Sequence, residues 1–218
     1  MRATEDTYRH KGLRRRLVET VRGKGITNER ILTAIENIPR HFFLDSAFDE
    51  VAYEDKAFPI EAGQTISQPY TVAYQTQLLD VKPLEKILEI GTGSAYQACV
   101  LAEMGAKVFT IERQKKLFDS NKQFHYLKKY LNIKFFYGDG YEGLPTYAPF
   151  DKVLITAAAP IIPVKLITQL KPGGMMVIPF GGGDVQIMKR LIKQADGSIR
   201  EEVFDQFSFV PMLQGKND

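Results

Sequence analysis

KILEIGTGSAY, at residues 86–96, is the stretch that decides the fold. A short apolar run ends in an acidic residue, two glycines follow, and a helix-like segment begins. This order is typical of a strand, a tight turn and a helix. Gly91 and Gly93 remove side chains at the turn, so a ligand could approach main-chain N–H groups and the positive end of the helix. The stretch predicts a pocket for a nucleotide-type ligand, although a glycine turn without a ligand has the same pattern.

The residues around the glycines distinguish this turn from a dinucleotide site. The dinucleotide pattern GxGxxG has a third glycine, and Tyr96 stands at that position here. Glu89 would repel a pyrophosphate, but it could accept hydrogen bonds from an amino group or a hydroxyl. The turn therefore favours an uncharged or cationic nucleoside.

The composition is that of an ordinary globular chain. Its 218 residues are 44% hydrophobic and 25% charged, and the net charge is +3. Apolar runs stay well below the ~20 residues of a membrane span, and so mild a charge gives no argument for nucleic acid. One cysteine excludes an internal disulfide, and residues 1–6 lack the apolar core of a signal peptide. We predict a cytoplasmic protein without membrane or nucleic-acid partners, and a monomer.

Strand and helix patterns alternate from residue 86 to residue 180. Before them, residues 1–25 and 27–38 predict two amphipathic helices, and a solvated face accounts for their basic residues better than nucleic-acid binding. After them, residues 185–207 predict a hairpin. Alternation of this kind specifies a parallel sheet with right-handed crossovers. We predict one α/β domain over residues 1–218, made of an N-terminal part (1–80), a βαβ core (81–180) and C-terminal strands (181–218).

Some finer predictions concern single elements. The pattern from Tyr70 to Leu79 predicts a helix. A second helix is predicted from Gln114 to Tyr130, with its apolar face formed by Leu117, Phe124, Leu127 and Leu131. Lys171-Pro172-Gly173-Gly174 predicts a turn before a strand from Met175 to Pro179.

Four polar residues mark the ends of predicted parallel strands. The carboxyl ends of such strands lie at one edge of a sheet, so we expect these side chains to converge. One of them, Glu112, stands where a carboxylate accepts ribose hydroxyls, although a surface pair with Arg113 fits equally well. Another, between two glycines, could accept from an adenine amino group. The four are Glu89, Glu112, Asp139 and Thr156.

The loop GQTISQPY, at residues 63–70, is dense in hydroxyl and amide groups. It offers several neutral hydrogen-bond donors in one place, directly before a predicted helix. A capping turn around Ser67 and Pro69 would explain the same composition.

Taken together, these motifs resemble the protein-L-isoaspartate (D-aspartate) O-methyltransferase family from about residue 27 to residue 212. The most specific segments are QTISQP at 64–69, LEIGTGS at 88–94 and GDG at 138–140. The resemblance implies a Rossmann-like, doubly wound, mostly parallel seven-strand methyltransferase sheet with an N-terminal helical extension and a C-terminal antiparallel hairpin. It also implies S-adenosylmethionine as methyl donor, S-adenosylhomocysteine as product, and isoaspartyl residues of damaged proteins and peptides as acceptors.

The resemblance assigns site residues by position. Ser67 corresponds to the family's active-site serine, and no metal is implied. The implied cofactor shell comprises Ile66, Glu89, Gly91, Thr92, Gly93, Gln97, Glu112, Asp139, Gly140 and Thr156. The implied acceptor site comprises Thr65, Ser67, Ala157, Ala158 and Val210.

Departures from the family pattern are modest. Ala95 replaces the usual third glycine. As the first helical residue it is expected to need no left-handed backbone, with its methyl group near the cofactor's amino-acid end. Phe58, Glu61 and Ala62 also differ from the usual residues, and they concern the rim of the site.

The implied reaction is an in-line displacement in which the acceptor α-carboxylate attacks the sulfonium methyl. A carboxylate is already ionised at neutral pH, so no general base is required, and Ser67 is expected to orient it. His10, His41 and His125 lie away from the predicted sheet edge and suggest neither a triad nor a metal set. The methyl ester would then close to a succinimide without the enzyme.

Other functions fit parts of the sequence. A non-catalytic S-adenosylmethionine-binding protein could keep the glycine turn, and a methyltransferase could act on another carboxylate or a hydroxyl acceptor. A nucleic-acid methyltransferase would share the fold, but residues 156–159 read TAAA, without the Pro-Pro-aromatic arrangement expected for exocyclic amines. Methyl transfer to a defined acceptor separates these readings.

Overall fold

The structure is a computed structural model that describes residues 5–217. The expectation about a signal peptide rests mainly on residues 1–4, which lie outside this range. Among the helices of residues 5–217, none has the length and apolar content needed to cross a membrane.

The N-terminal part contains the two predicted helices, which are confirmed. Helix α1 covers Tyr8–Gly23 and helix α2 covers Glu29–Asn37. The side chain of Asn28 caps α2 by accepting a hydrogen bond from the backbone of Arg30. Each helix buries an apolar face, because apolar residues recur at helical spacing: Leu17, Val18 and Val21 in α1, and Ile31, Leu32, Ala34 and Ile35 in α2.

An irregular segment follows, and it contains short 3₁₀ turns at Arg40–Phe43, Ser46–Phe48 and Glu61–Gly63. Strands β1 (Phe58–Pro59) and β2 (Thr65–Ile66) pair antiparallel within it. Helix α3 then covers Pro69–Leu79, which confirms the helix predicted there. Proline at its first position suits a helix start, because that N–H would lack an intrahelical partner in any case.

The main sheet has seven strands, in the order β5-β4-β3-β6-β7-β8-β9. Its first five members, β5, β4, β3, β6 and β7, run parallel, and β8 and β9 add an antiparallel hairpin, so the predicted fold class is confirmed. The strands are β3 (Lys86–Ile90), β4 (Lys107–Glu112), β5 (Ile133–Tyr137), β6 (Phe150–Ile155), β7 (Leu170–Phe180), β8 (Gln186–Lys193) and β9 (Ile199–Phe207).

Helices α4 (Tyr96–Glu103), α5 (Lys115–Gln123) and α6 (Val164–Thr168) connect the parallel strands. One buried apolar cluster extends from Leu17 to Met188 on one side of the sheet, and a second includes Leu88, Phe150 and Ile178. The chain runs from β3 outward to β5 and then returns to β6 on the other side of β3. Ligands bind at such a switch point in open parallel sheets, so the topology puts the site at the carboxyl ends of β3, β4 and β6.

The single helix predicted from Gln114 to Tyr130 was wrong. Helix α5 ends at Gln123, and a 3₁₀ turn at His125–Lys129 follows an extended Phe124. This break lets the rings of Phe124 and Tyr126 pack edge-to-face on Phe43 from the N-terminal part. Leu131, predicted to be on the apolar face, is 93% exposed in the turn before β5.

The segment Lys171–Gly174, predicted as a turn, belongs to strand β7 instead. Phe150 pairs with Leu170 and Lys152 pairs with Met175, so the register of β6 and β7 shifts between them. Residues 171–174 of β7 therefore form an irregularity inside the ladder. The hairpin of β8 and β9 agrees with the prediction, and a tight turn at Asp196 and Gly197 joins its strands.

Candidate functional site

The glycines of the turn after β3 allow a neighbouring strand to approach closely, and they do not present free N–H groups to a ligand. Gly91 and Gly93 have φ values of +94° and +53°. A Cβ atom on Gly91 would lie 2.6 Å from the Thr156 hydroxyl oxygen, so only glycine lets β6 approach this closely. The hydroxyl of Thr156 donates to the carbonyl oxygens of Ile90 and Gly91, at 2.9 and 2.7 Å.

The amides of this turn are hydrogen-bonded within the protein, contrary to the expectation that they face a ligand. Gly91 and Thr92 donate to the carbonyl oxygen of Ile111, at 2.9 and 3.2 Å. Gly93 donates to Oε2 of Glu112 at 2.8 Å. The turn is thus tied to the end of the neighbouring strand β4.

Ala95 differs from its prediction. It has φ +70° and ψ +10°, so the left-handed conformation expected to be unnecessary is present in an alanine. Such a backbone costs an alanine about 1–2 kcal/mol. The residue is fully buried, and it does not line the cavity described below, so its methyl group faces the protein interior.

A cavity of about 810 Å³, its open mouth included, lies at the carboxyl ends of β3, β4 and β6. We call it the main cavity. Twelve of the predicted site residues line it: Thr65, Ile66, Ser67, Gly91, Thr92, Gly93, Gln97, Glu112, Gly140, Thr156, Ala157 and Val210. The sheet edge and the 63–70 loop therefore meet at this cavity. Of the four strand-end residues expected to converge, Glu112 and Thr156 line it.

Three predicted site residues are not part of the wall of the main cavity: Glu89, Asp139 and Ala158. Glu89 is fully buried in β3, and the hydroxyl of Thr110 donates to its Oε2 at 2.5 Å. Burial raises the pKa of the Glu89 carboxyl to about 8, and the Thr110 hydrogen bond opposes this rise while the nearby Glu112 charge adds to it. At neutral pH this side chain is mostly protonated, which differs from the anionic acceptor that the sequence suggests.

Asp139 is engaged by the C-terminal tail. Its Oδ1 accepts from the Tyr141 N–H at 2.9 Å and its Oδ2 from the Gly215 N–H at 2.8 Å. Ala158 is buried, and its backbone bonds to both sides of Pro211: its N–H donates to Val210 O, and its carbonyl oxygen accepts from Met212 N, each at 2.8 Å. Both residues thereby shape the wall that the tail forms.

Glu112 presents its carboxylate at the end of β4, where the sequence predicts it. Backbone N–H groups of Gly93 and Gln114 donate to its two oxygens, each at 2.8 Å. Burial raises its pKa, while these backbone hydrogen bonds act in the opposite direction. Both oxygens keep further lone pairs for a hydroxyl ligand, because a carboxylate accepts about four hydrogen bonds.

Gln97 carries an unpaired acceptor on the cavity wall. Its Nε2 donates to the Thr76 hydroxyl at 2.9 Å, whereas its buried Oε1 has no partner within residues 5–217. A buried acceptor without a partner calls for a ligand donor, such as an amino group.

Sequence reasoning missed ten residues of the cavity wall. Three come from the C-terminal tail, which crosses the mouth of the site because Arg113 donates to the carbonyl oxygens of Gly215 and Gln214, at 3.0 and 3.3 Å. The pairing of Ala158 with Pro211 across the chain was not visible in the local pattern. The ten are Gln64, Val72, Ile90, Ser94, Tyr96, Ile111, Arg113, Pro211, Met212 and Leu213.

A second depression, which we call the side groove, opens to solvent beside the main cavity. Four residues line both: Thr65, Ser67, Thr156 and Val210. Aromatic rings and backbone of β9 and its C-terminal extension form much of the groove, including Phe207 and Phe209. Within residues 5–217 the Ser67 hydroxyl makes no hydrogen bond, and this side chain stands between the two spaces.

The histidines are more organised than the sequence suggests. The rings of His10 and His41 stack with centroids 3.9 Å apart, and both lie near Asp6. The guanidinium of Arg14 donates to both oxygens of Asp6, each at 3.0 Å, so a cation already occupies this carboxylate. The cluster joins the N-terminal part together, away from the main cavity.

Over residues 13–217 the chain matches the family described as Protein-L-isoaspartate(D-aspartate) O-methyltransferase. The chain belongs to this family. Among its relatives, the protein-L-isoaspartate O-methyltransferase of Christiangramia forsetii is 54% identical in an alignment 217 positions long that covers 98% of this chain and 100% of the relative. The enzyme of the same name from Flavobacterium johnsoniae is 55% identical over 216 residues, with the same two shares.

Solved structures of the family have the same fold. One protein-L-isoaspartate O-methyltransferase aligns with a TM-score of 0.81 and 26% identity, covering 91% of this chain and 65% of that chain. Another, described as a protein-L-isoaspartate O-methyltransferase from Plasmodium falciparum in complex with S-adenosyl-L-homocysteine, aligns with a TM-score of 0.79 and 22% identity. The alignment covers 92% of this chain and 98% of that chain. The family's fold and this chain's seven-strand sheet agree.

Proposed function

We propose that this protein transfers a methyl group from S-adenosylmethionine to the α-carboxylate of L-isoaspartyl residues in damaged proteins and peptides. Family membership supports the reaction class. The observation that carries the proposal for the site is the position of Ser67, on the wall shared by the main cavity and the side groove. A group on that wall can contact an acceptor that enters from the groove and a donor that fills the cavity.

The residues of the main cavity suit S-adenosylmethionine. The Glu112 carboxylate would accept the ribose hydroxyls, and the unpaired Oε1 of Gln97 would accept from the amino group of the methionine end. Apolar side chains such as Ile111 and Met212 offer a dry wall for a base. Ile66, Thr92, Gly93 and Gly140 would complete the contacts, while Glu89 and Asp139 would act without being part of the wall. When bound, this donor supplies an electrophilic methyl group.

The protein's own part in the reaction is to bind, orient and desolvate. An acceptor carboxylate needs no proton removed, so the site requires a donor more than a base. The unbonded Ser67 hydroxyl could donate to one carboxylate oxygen and leave the other free to attack. Holding two reactants in line in this way supplies most of the catalysis expected of such a site.

The side groove suits an extended peptide whose flanking sequence varies. Thr65, Ala157, Ala158 and Val210 would form the acceptor site with Ser67. The small side chain of Ala157 on the main cavity wall leaves room for the acceptor end, Ala158 would hold Val210 through its backbone, and the aromatic rings of the groove can pack on differing neighbours. Recognition through backbone fits an acceptor that arises at many positions in proteins.

We also infer that the chain is a single domain and acts as a cytoplasmic monomer. The apolar cluster from Leu17 to Met188 combines residues of the N-terminal part, the core and the C-terminal strands, which supports one domain over residues 1–218. Sedimentation of the pure protein at the 24.7 kDa of one chain would support the monomer, and a mass near twice that would contradict it.

Methyl transfer to two forms of one peptide tests the proposal. The peptide is synthesised with either an isoaspartyl or a normal aspartyl linkage, and transfer is followed from labelled S-adenosylmethionine. We expect base-labile methyl ester on the isoaspartyl form alone. Transfer to neither peptide, with measurable cofactor binding, would contradict it and favour a non-catalytic binder or a different acceptor.

A further inference from the structure

Asp55 lies directly behind the loop that carries Ser67. Its Oδ1 accepts a hydrogen bond from the Tyr70 N–H at 2.8 Å, and its Oδ2 accepts one from Gln68 Nε2 at 3.0 Å. Only 7% of this side chain is exposed. One carboxylate therefore binds two of the three residues that follow Ser67.

The contact with Tyr70 replaces a helix cap that the local sequence lacks. The side chain of Gln68, the residue before helix α3, caps no backbone N–H of the first turn; its Oε1 accepts only a long contact of 3.5 Å from the Thr71 hydroxyl. Pro69 has no N–H, so the Tyr70 amide is the first donor of the helix. Asp55 satisfies it from 15 residues upstream and sets a negative charge at the positive end of the helix.

Asp55 is itself held in place. Arg40, which is fully buried, donates through Nε to the carbonyl oxygen of Ala52 at 3.0 Å and through a second nitrogen to that of Lys56 at 3.1 Å. These two bonds bracket Asp55 in the chain. The ammonium of Lys24 lies 2.6 Å from the Asp55 carboxylate and neutralises it from the solvent side.

The chain before Ser67 is fixed by a different contact. Strand β2 (Thr65–Ile66) pairs with β1 (Phe58–Pro59) and ends immediately before Ser67. Ser67 thus stands between a two-residue ladder and the bonds to Asp55. Since the Ser67 hydroxyl has no bond of its own within residues 5–217, its direction depends on how these two supports hold its backbone.

We propose that Asp55 is a positioning residue for methyl transfer, which fixes the Ser67 backbone between the main cavity and the side groove. This inference rests on the proposed function. It acts on the acceptor more than on the donor's contacts. Glu112 is held by the backbone of Gly93 and Gln114, and Gln97 bonds to Thr76, which lies towards the far end of α3 from the first turn that Asp55 caps.

The test compares Asp55→Asn with a matched control, Asp151→Asn. Asp151 also accepts from one backbone N–H, of Lys86 at 2.8 Å, and from one lysine, Lys171 at 2.6 Å, but it lies at the opposite edge of the sheet. At position 55 an asparagine keeps the shape of the side chain but leaves one acceptor oxygen for the three donors from Gln68, Tyr70 and Lys24. We expect Asp55→Asn to lower kcat/KM for an isoaspartyl peptide by about 10- to 100-fold, while Kd for S-adenosylhomocysteine stays within about twofold.

The control and a third variant separate positioning from general destabilisation. Asp151→Asn should lower the free energy of unfolding and leave kcat/KM per cofactor-binding site unchanged. Lys24→Met removes the ion pair and keeps the bonds to Gln68 and Tyr70. Because Lys24 also lines the side groove, this variant is compared by kcat at saturating peptide, which should stay within about twofold of wild type. If Asp55→Asn does not fold, Gln68→Leu removes one of the bonds, and we expect kcat to fall about 5- to 10-fold.

Each other outcome overturns the inference. Equal losses in Asp55→Asn and Asp151→Asn, or unchanged peptide kinetics in Asp55→Asn or Gln68→Leu, would show that Asp55 has no positioning role. A loss of cofactor affinity in Asp55→Asn as large as the loss of kcat/KM would show that Asp55 supports the whole site and not the acceptor side in particular. An inactive wild type would overturn the proposed function itself, which distinguishes that failure from a failure of the Asp55 inference.

Discussion

Two regions meet at Ser67, and they are built differently. The cofactor half, residues 86–140, consists of regular strands whose ends meet at one edge of the sheet. The acceptor half, residues 55–70 and 206–210, consists of irregular segments joined by contacts distant in sequence, such as Asp55 with Tyr70. The first is specified by local pattern and parallel pairing, whereas the second depends on single side chains. Changes in the two halves should therefore affect different kinetic constants.

The largest expected effect in the cofactor half comes from Gly91→Ala. The new Cβ would lie 2.6 Å from the Thr156 hydroxyl, on a backbone with φ +94°. We expect a loss of about 3 kcal/mol in the free energy of unfolding, from backbone strain and overpacking together. Denaturant unfolding measures the loss, and calorimetry with S-adenosylhomocysteine should show weaker binding.

Gly173→Ala is the control for that change. Gly173 has φ +79° with open space around its Cβ position, so its replacement by alanine should cost only about 1–2 kcal/mol of backbone strain. Equal losses in the two variants would mean that the close approach of Thr156 does not matter.

Glu112→Gln tests the same half at its ribose contact. The amide has one acceptor oxygen for the N–H groups of Gly93 and Gln114, and it loses the charge that ligand hydroxyls would meet. We expect the affinity for S-adenosylhomocysteine to fall about 100-fold, the value of one or two hydrogen bonds to a charged group. The KM for an isoaspartyl peptide at saturating donor should stay within about twofold.

A neutral change at exposed Glu142, Glu142→Gln, should leave both constants unchanged. Within residues 5–217 its carboxylate pairs with Lys165 alone, and its carbonyl oxygen accepts from Gln169 Nε2. If Glu112→Gln raised the KM for the peptide as much as the Kd for the cofactor, the two halves would not act separately and the account would be wrong.

Glu89→Gln tests how a buried acid supports the cofactor half. The folded pKa of about 8 lies above the unfolded value near 4.5, so the folded state binds more protons between these limits and stability falls as pH rises. Between pH 5 and 7 we expect wild type to lose about 2 kcal/mol relative to Glu89→Gln. Unfolding titrations at several pH values measure the difference, and parallel curves for the two proteins would refute the raised pKa.

The smallest expected effect is a pH dependence of stability at His41, which contacts Tyr53 in the segment that leads to Asp55. Burial and the adjacent His10 lower the pKa of His41, which accepts from the Tyr53 hydroxyl at 2.6 Å, two residues before Asp55. The unfolded state then binds more protons, so stability present above about pH 6.5 is lost as the pH falls. We expect the free energy of unfolding of wild type to fall as the pH is lowered from 7 to 5, and that of His41→Gln to fall less over the same range. An equal pH slope in both proteins would contradict it.

Sequence reasoning captured the cofactor half because its signals are local. The alternation of strand and helix patterns from residue 86 to residue 180 corresponds to strands β3 to β7 and the helices between them. The alternation of elements then brings strand ends together without further information. Reasoning failed where a side chain's surroundings matter: spacing showed Glu89 at a strand end, but not that it is fully buried with a raised pKa.

The acceptor half was less visible for a physical reason. The GQTISQPY motif marked Ser67, yet its support comes from Asp55, Arg40 and Lys24, which no periodicity connects to it. The break at Phe124 has the same origin, because aromatic packing on Phe43 outweighed a helical pattern. Tertiary contacts of single residues have no signature in local sequence.

The most direct test of the two-half account is Ser67→Ala, measured for both halves at once, beside Ser198→Ala from the exposed turn of the β8–β9 hairpin. We predict that Ser67→Ala lowers kcat/KM for an isoaspartyl peptide about 10- to 100-fold, as expected for one hydrogen bond to a charged group, with Kd for S-adenosylhomocysteine within about twofold. Ser198→Ala should match wild type in both. Full methyl transfer by Ser67→Ala, or a loss of cofactor affinity equal to the loss of transfer, would contradict the account.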